Sequence, residues 1–183
     1  MAKKDPKRRA RTRARIMDAY WDLYSSDPSR NVTASAVIAE AGVHRSTFYE
    51  YFGDAEAVLL AIEDELVALF GAESATALAC ESVDPAGIVR RVYVKHGERI
   101  SALLGDSGDP RFARRVKDVL KPLAIGKLGL SGDPLAPYIV EFATSGLIAV
   151  ASLWYERGCD LAPDEFGEAI HTMLLGATSM VEK

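Results

Sequence analysis

Cysteine and histidine are scarce in this sequence. The 183 residues include two cysteines, Cys80 and Cys159, and three histidines, His44, His96 and His171. These residues form no CxxC pair or Cys/His cluster, which excludes a disulfide scaffold and a zinc site. There is also no serine elbow, HExxH motif or phosphate-binding glycine loop. The sequence therefore predicts a protein that is not an enzyme and that binds no metal or cofactor. Redox sensing by either thiol stays open, although neither has the charged neighbours that activate a thiol.

Long apolar runs are missing as well. The longest uncharged run, between Glu141 and Glu156, has fourteen residues. This run is too short to cross a bilayer, so it predicts a buried helix. The N-terminus is charged and has no apolar stretch behind it, unlike a secretory signal. Hydrophobic residues make up 49% and charged residues 26%, a globular composition. We expect a cytoplasmic protein without a membrane partner.

Positive charge is in the minority, but it is concentrated at one end. The formal net charge of the chain is −4. The segment up to Phe52 nevertheless carries +4, and the remainder carries −8. Eight of the ten cations of the first segment lie between Lys3 and Arg15. This asymmetry favours a basic arm that meets nucleic acid. The alternative is a disordered start that only aids solubility.

The apolar residues recur at steps of three and four nearly throughout, and no strand pattern is present. We predict helices over about 16–24, 33–42, 45–52, 54–70, 84–104, 111–123, 138–157 and 163–181. The sequence thus predicts an all-α fold.

The most informative stretch runs from Thr33 to Phe52. Its two short helices are joined by Gly42-Val43-His44, and a tight glycine-containing turn between short helices is typical of a helix-turn-helix. The first residues of the second helix in such a unit contact base edges in the major groove. Here these are hydrogen-bonding residues, namely His44, Arg45, Ser46 and Thr47.

Four aromatic residues follow on the same short helix. We expect Phe48 and Phe52, at positions i and i+4, to anchor the helix in the core. Tyr49 and Tyr51 are then left near the groove. The alternative for either tyrosine is a packed ring with its hydroxyl in solvent.

Taken together, residues 11–62 resemble the N-terminal domain of the TetR family of transcriptional regulators. The resemblance rests on three runs, which are IMDAYWDLY from Ile16, TASAVIAEAGV from Thr33 and HRSTFYEYF from His44. It implies a homodimer that binds a palindromic double-stranded DNA operator and releases it when a small effector binds the C-terminal domain. By position, it implies base or phosphate contacts from Thr33, Ser35, Arg45, Ser46, Thr47, Tyr49 and Tyr51.

One departure from the family pattern concerns the fourth helix. A lysine that bonds a phosphate is usual near its start, and this sequence has Ala55. We expect basic residues of the arm to replace that contact, and the candidates are Lys7, Arg8, Arg9, Arg11, Arg13 and Arg15. The predicted organisation is a basic disordered arm over 1–10, a three-helix DNA-binding domain over 11–54, and an effector-binding and dimerisation bundle over 55–183.

The C-terminal bundle offers less specific signals. We predict a dimer interface on the last two helices, as in the family, formed by Leu147, Val150, Leu153, Trp154, Ile170, Met173, Leu174 and Ala177. The alternative is that these helices are monomer core. Candidate residues for an effector pocket are Tyr93, His96, Phe112, Tyr138 and Phe142, and each could equally be core.

The predicted function is a ligand-responsive repressor. A ligand-dependent activator of the same family and a helical protein-interaction adaptor are the alternatives.

Overall fold

The protein is all-α, as predicted. A computed structural model describes residues 5–26, 31–81, 84–105 and 108–178, and within these ranges there is no strand. The helices are α1 (Pro6–Ser26), α2 (Ala34–Ala41), α3 (Arg45–Tyr51), α4 (Ala55–Ala79), α5 (Pro85–Val89), α6 (Lys95–Leu104), α7 (Pro110–Lys127), α8 (Ala136–Glu156) and α9 (Pro163–Thr178). A π-helical turn at Arg90–Val94 continues α5 into α6.

Helix α1 begins earlier than the sequence suggested. The prediction of a disordered arm over 1–10 is wrong from residue 6 onward, and residues 1–4 lie outside the described part. Asp5 accepts two backbone N–H bonds, from Lys7 to its Oδ1 at 3.0 Å and from Arg9 to its carbonyl at 3.1 Å. Pro6 suits the first helical position because the missing N–H would have no partner there anyway. Five residues of the expected arm are therefore helical.

The chain divides into two compact units, Met1–Glu65 and Leu66–Lys183. The boundary falls inside α4, eleven residues after the boundary at 54 that the sequence suggested.

The first unit is organised around one apolar core. Its large buried side chains come from all four helices and are Ile16, Met17, Tyr20, Trp21, Val37, Phe48, Phe52, Val58 and Ile62. Burying each side chain of this size contributes about 1.5–3 kcal/mol. The inward direction predicted for Phe48 and Phe52 is confirmed.

The second unit has its own core around Trp154 of α8. The indole ring stacks on Phe166 of α9 with ring centroids 4.4 Å apart, and its Nε1 donates a hydrogen bond to the Leu161 carbonyl at 3.0 Å. Val89, Ala151 and Ile170 complete the cluster. Helices α5, α8 and α9 are thus held together by one aromatic pair and its aliphatic neighbours.

Helix α8 is less buried than the sequence suggested. Only 28% of the most apolar stretch of this helix is buried. The prediction of a buried helix therefore holds for one face alone. The sequence analysis found the fourteen-residue uncharged run too short to cross a bilayer. The whole of α8, which includes Glu141, is long and apolar enough to do so, and this corrects that prediction. Core helices of soluble proteins pass the same test of length and composition.

The turn between α2 and α3 depends on Gly42. This residue is left-handed, with φ 57° and ψ 40°. Its N–H donates to the Ala39 carbonyl at 3.2 Å, and the Val43 N–H donates to the Ile38 carbonyl at 3.3 Å. This pair of bonds is the Schellman motif, which closes a helix and redirects the chain.

We predict that Gly42→Ala lowers the free energy of unfolding by about 1–2 kcal/mol, because an L-residue is strained in the left-handed region. No atom lies within 4 Å of the position of the added Cβ, so steric contact makes no contribution. Gly53→Ala is the control, since that site has equal space and no positive φ. Urea denaturation measures both variants. Equal effects at the two sites would contradict the role of the turn.

Candidate nucleic-acid interface and ligand cavity

The N-terminal end of α3 presents polar side chains to solvent. His44, Arg45 and Ser46 are exposed and Thr47 is half-buried. The helix is held from the other side, because Phe48 is wholly buried and Phe52 is nearly so. Tyr49 points outward, and its ring meets the edge of Phe48 at a centroid distance of 5.3 Å. A helix of only seven residues thereby has one buried and one polar face.

Helix α2 begins with two further exposed hydroxyls. Thr33 is extended, and its Oγ1 accepts the Ala36 N–H at 3.3 Å, so this residue caps the helix. The Ser35 hydroxyl lies 3.3 Å from that of Thr33. Both side chains are exposed and able to donate hydrogen bonds to an oxygen-rich partner.

Three arginines lie over aromatic rings of this unit. The Arg45 guanidinium lies 5.5 Å from the centre of the Tyr49 ring on the same helix. From α1, Arg9 lies 5.7 Å from the centre of Tyr51 and Arg13 lies 5.7 Å from that of Phe52. Contacts of this kind are cation–π attractions. They place Arg9 beside the C-terminal end of α3.

Sequence reasoning named Arg9 among the arm residues that could replace the missing phosphate contact, but it placed Arg9 in a disordered segment. The signal for its helical position is the spacing of Arg9 and Arg13, because residues at i and i+4 share one face of a helix. That argument requires α1 to extend to residue 6, as the structure has it.

Arg13 has a different environment from the one predicted. Its Nη1 lies 2.5 Å from Glu65 Oε1 and 3.0 Å from Met17 Sδ. The side chain is thus already paired with α4, whereas Arg11 is exposed. Ala55 is buried at the start of α4, where Asp54 Oδ1 accepts the Ala57 N–H at 2.7 Å. A buried methyl group therefore stands where the family pattern has a lysine.

The second unit encloses a cavity of about 390 Å³. Its walls are mainly aliphatic and come from α4, α5, the π-helical turn, α7, α8 and α9. The apolar lining residues are Phe70, Ile88, Val89, Val92, Val116, Leu120, Leu123, Ala124, Leu128, Ala143, Leu147, Ile148, Ala151, Ile170 and Leu174. Tyr93 and six polar residues complete the lining, the six being Glu73, Ser74, Glu81, Lys127, Thr144 and His171.

Of the five residues predicted for an effector pocket, Tyr93 alone lines this cavity. Phe112 is wholly buried elsewhere in the core, and His96 is half-buried outside the lining. Tyr138 and Phe142 are 74% and 69% exposed on α8. Phe142 and the cavity residue Leu147 are five positions apart, a rotation of about 140° on an α-helix, so they face opposite sides.

The π-helical turn shapes one wall of the cavity. It contributes Val92 and Tyr93, and the Tyr93 ring meets Trp154 edge-on at a centroid distance of 6.2 Å. Ion pairs hold the turn on both sides, from Arg91 Nε to Glu73 Oε2 at 2.9 Å and from Arg90 to Asp164. Turns of this kind are rare and are frequently found at functional sites.

The eight residues predicted for a dimer interface are divided among three environments. The prediction is wrong for Trp154 and Ile170, which are buried in the core of the second unit. Leu147 and Leu174 line the cavity, and Val150 packs against the core. Leu153 and Met173 are 53% and 56% exposed. Ala177 lies in α9, but its side chain is outside the described part.

The exposed face of α8 forms an apolar stripe consisting of Tyr138, Phe142, Ala149 and Leu153. The first three of these residues border a shallow groove that also includes Gly146. On a helix with 3.6 residues per turn these positions fall on one side, opposite to the cavity residues of the same helix. Large exposed apolar patches on a protein surface mark interaction sites.

Within the described ranges, no three His, Cys, Asp or Glu side chains are grouped so that they could hold a metal ion.

Two family models match the chain. Residues 16–62 match the model of bacterial regulatory proteins of the tetR family, and residues 91–176 match a transcriptional regulator C-terminal region of the same family. No curated protein matches the sequence.

Solved structures share the fold. A TetR transcriptional regulator from Streptococcus agalactiae 2603V superposes with a TM-score of 0.67 and 21% identity, over 92% of this chain and 96% of that one. The fatty acid degradation regulator FadR from Bacillus halodurans gives 0.62 and 18%, over 95% and 97%. Thermus thermophilus FadR, a TetR-family repressor in complex with lauroyl-CoA, gives 0.50 and 23%, over 89% and 93%.

We predict an alkaline loss of stability that depends on Tyr93. Burial raises the pKa of this phenol, so the stability it contributes is complete below the unfolded pKa of about 10 and is lost as the pH rises. Between pH 9 and 11 the free energy of unfolding should fall by about 1.4 kcal/mol less in Tyr93→Phe than in the wild type. Parallel curves from urea denaturation would contradict the burial of the hydroxyl.

Proposed function

Because the chain belongs to the TetR family of transcriptional regulators, we propose that this DNA-binding regulator is a repressor that binds a palindromic operator as a homodimer. A small molecule that fills the cavity of the second unit releases the operator. The observation that carries this proposal is the exposed polar start of α3, held in place by Phe48 and Phe52 behind it.

The side chains on that face suit base recognition. Arg45 can form two hydrogen bonds to O6 and N7 of guanine, and the hydroxyls of Ser46 and Thr47 can bond base edges or phosphates. The Arg45 guanidinium lies 5.5 Å from the centre of the Tyr49 ring. This contact limits the conformations of the Arg45 side chain before DNA binds. Preorganisation of this kind lowers the entropy cost of binding.

Phosphate contacts are assigned to Thr33, Ser35, Tyr51, Arg11 and Arg9. The Arg9 guanidinium lies beside Tyr51 and takes the place that we predicted for Arg13, which is paired with Glu65. The buried Ala55 supplies no phosphate contact, so the positive charge must come from α1. The charge distribution supports this assignment, because residues 1–52 carry +4 and attract the DNA backbone, whereas residues 53–183 carry −8 and are repelled by it.

A homodimer is supported by the apolar stripe on α8. Tyr138 and Phe142 are 74% and 69% exposed, and exposed apolar patches mark interaction sites. Small residues of the same face, Gly146 and Ala149, allow a second helix to approach closely. Obligate helical interfaces bury about 2,000 Å² or more. We therefore reassign Phe142 and Tyr138 from the effector pocket to the dimer interface, together with Leu153.

The effector acts by shifting a population. A ligand lowers DNA affinity only by its differential affinity for the DNA-binding and released states. Helix α4 supplies Phe70, Glu73 and Ser74 to the cavity wall, and its first turns supply Val58 and Ile62 to the core that holds α3. The related Thermus thermophilus repressor carries lauroyl-CoA, which supports by analogy a small-molecule effector. We assign the protein to the cytoplasm, where its operator is.

A ligand-dependent activator would use the same DNA-binding and cavity residues. Transcription in vitro from the bound promoter distinguishes the two, since a repressor lowers the transcript level when the effector is absent.

We predict that Arg45→Ala weakens specific DNA binding roughly 5- to 150-fold, because a bidentate base contact is worth about 1–3 kcal/mol. Gel shifts against the DNA upstream of the protein's own gene provide the measurement, at one fixed salt concentration. The matched control is Arg157→Ala, which removes an exposed arginine of the second unit. Equal affinities of the Arg45→Ala variant and the wild type would exclude α3 as the recognition helix.

We predict that Arg9→Ala reduces DNA affinity for every sequence alike and flattens its salt dependence. Each phosphate contact contributes about −0.9 to the slope of log affinity against log salt, so a dimer should lose close to twice that value. Arg157→Ala again serves as the control. If the slope stays at the wild-type value, Arg9 does not contact phosphate.

We predict that Phe142→Glu converts the dimer to a monomer, because two buried carboxylates would face each other across a symmetric interface. Analytical ultracentrifugation measures the state. Val94→Glu is the matched control, since Val94 is 67% exposed and lies outside the stripe. A Phe142→Glu variant that sediments as the wild type does would rule out the stripe as the interface.

A further inference from the structure

The chemistry of the cavity wall identifies a class of ligand. We propose that the cavity binds an uncharged aliphatic molecule that carries one hydroxyl or carbonyl group. This inference rests on the proposed function, in which the cavity is the effector site.

The apolar part of the wall favours aliphatic over aromatic ligands. Of its fifteen apolar residues Phe70 alone is aromatic, and the Tyr93 ring is already in contact with Trp154. Sites for flat aromatic or quaternary ammonium ligands use several aromatic faces. The cavity is also near the lower end of the usual range for ligand sites, about 300–1,000 Å³. A slender aliphatic chain fits such a space.

The charged residues at the cavity have partners or lie in solvent. Glu73 Oε2 accepts a hydrogen bond from Arg91 Nε at 2.9 Å, and Lys127 Nζ donates to the Cys80 carbonyl. Glu81 is exposed. Lys127 and Glu81 therefore keep their charges, but the Lys127 bond is in an exposed position and Glu81 is in solvent. An ionic ligand group buried among the aliphatic residues, away from these two, would have to leave water unpaired, which costs several kcal/mol per ion. The aliphatic part of the wall therefore disfavours both carboxylates and ammonium groups.

Three further polar side chains of the wall are without a hydrogen-bond partner among the described residues. They are Ser74 on α4, Tyr93 on the π-helical turn and His171 on α9. Ser74 is almost wholly buried, and burial raises the pKa of Tyr93, so its hydroxyl stays a donor at physiological pH. Thr144 differs, because its hydroxyl donates to the Val140 carbonyl at 2.8 Å. Neutral donors with free capacity in an apolar wall match a hydroxyl or carbonyl group of a ligand.

Calorimetric titration of the full chain with three ten-carbon probes tests the class of ligand, using 1-decanol, sodium decanoate and decylammonium chloride. We expect 1-decanol to bind at least about tenfold more tightly than either ion, given the cost of burying a charge. In the series 1-hexanol, 1-octanol and 1-decanol, affinity should rise about fourfold per methylene. Tighter binding of decanoate or of decylammonium would overturn the proposal.

Single-hydroxyl variants test the polar part. Ser74→Ala and Tyr93→Phe should each weaken 1-decanol binding roughly 2- to 12-fold, which is the net worth of one neutral hydrogen bond. Tyr155→Phe is the control, because Tyr155 does not line the cavity. Thermal unfolding verifies that each variant is folded. Unchanged affinity in both cavity variants contradicts the assigned polar contacts.

Gel shifts with and without 1-decanol separate this inference from the function on which it rests. If no alcohol binds while the protein still shifts its operator, the ligand class is wrong and DNA binding stands. If 1-decanol binds in the calorimeter and DNA affinity stays the same, the ligand class stands and the effector role of the cavity is contradicted.

Discussion

The burial of Phe48 and Phe52 is the contact on which the DNA-binding surface depends. Helix α3 has seven residues, and a helix this short is not stable alone in water. Its position is set by these two rings, one turn apart, in a core shared with α1, α2 and α4. Because the rings occupy the inner face, Arg45, Ser46 and Tyr49 are fixed on the outer one. A loss of this anchoring would therefore disrupt the proposed DNA-binding surface without altering any of its exposed residues.

The sequence predicted this unit well because its signals are local. Capping by Thr33 and Asp54, the left-handed turn at Gly42 and the i, i+4 spacing of two phenylalanines each follow from a few neighbouring residues. The same reasoning named Arg9 as a possible phosphate contact but missed its helical setting, since the helical start at Asp5-Pro6 was outweighed by the basic composition of the segment. It also gave Arg13 to DNA, because its partner Glu65 lies 52 positions further along the chain.

The second unit was harder to predict, for a physical reason. Its helices are apolar on more than one side, so hydrophobicity does not distinguish core, cavity and subunit interface. Helix α8 illustrates the difficulty: Trp154 fills the core, Leu147 lines the cavity and Phe142 is exposed. The periodicity of the sequence gives the angle between these residues, but not which neighbouring element each side meets. Only the packing of α5, α7 and α9 settles that.

The π-helical turn at Arg90–Val94 has a consequence for how such a regulator diversifies. A π-helical turn holds one residue more than the α-helical turn it replaces, so deleting a single residue there would restore a regular helix. The residues on either side of the deletion would keep their facing, because the wider turn is what absorbs the extra residue. A one-codon deletion in this segment would thus replace the side chains that Val92 and Tyr93 contribute to the wall, while α3, in the other unit, kept its sequence. Ligand preference could change in one genetic step with the operator unchanged.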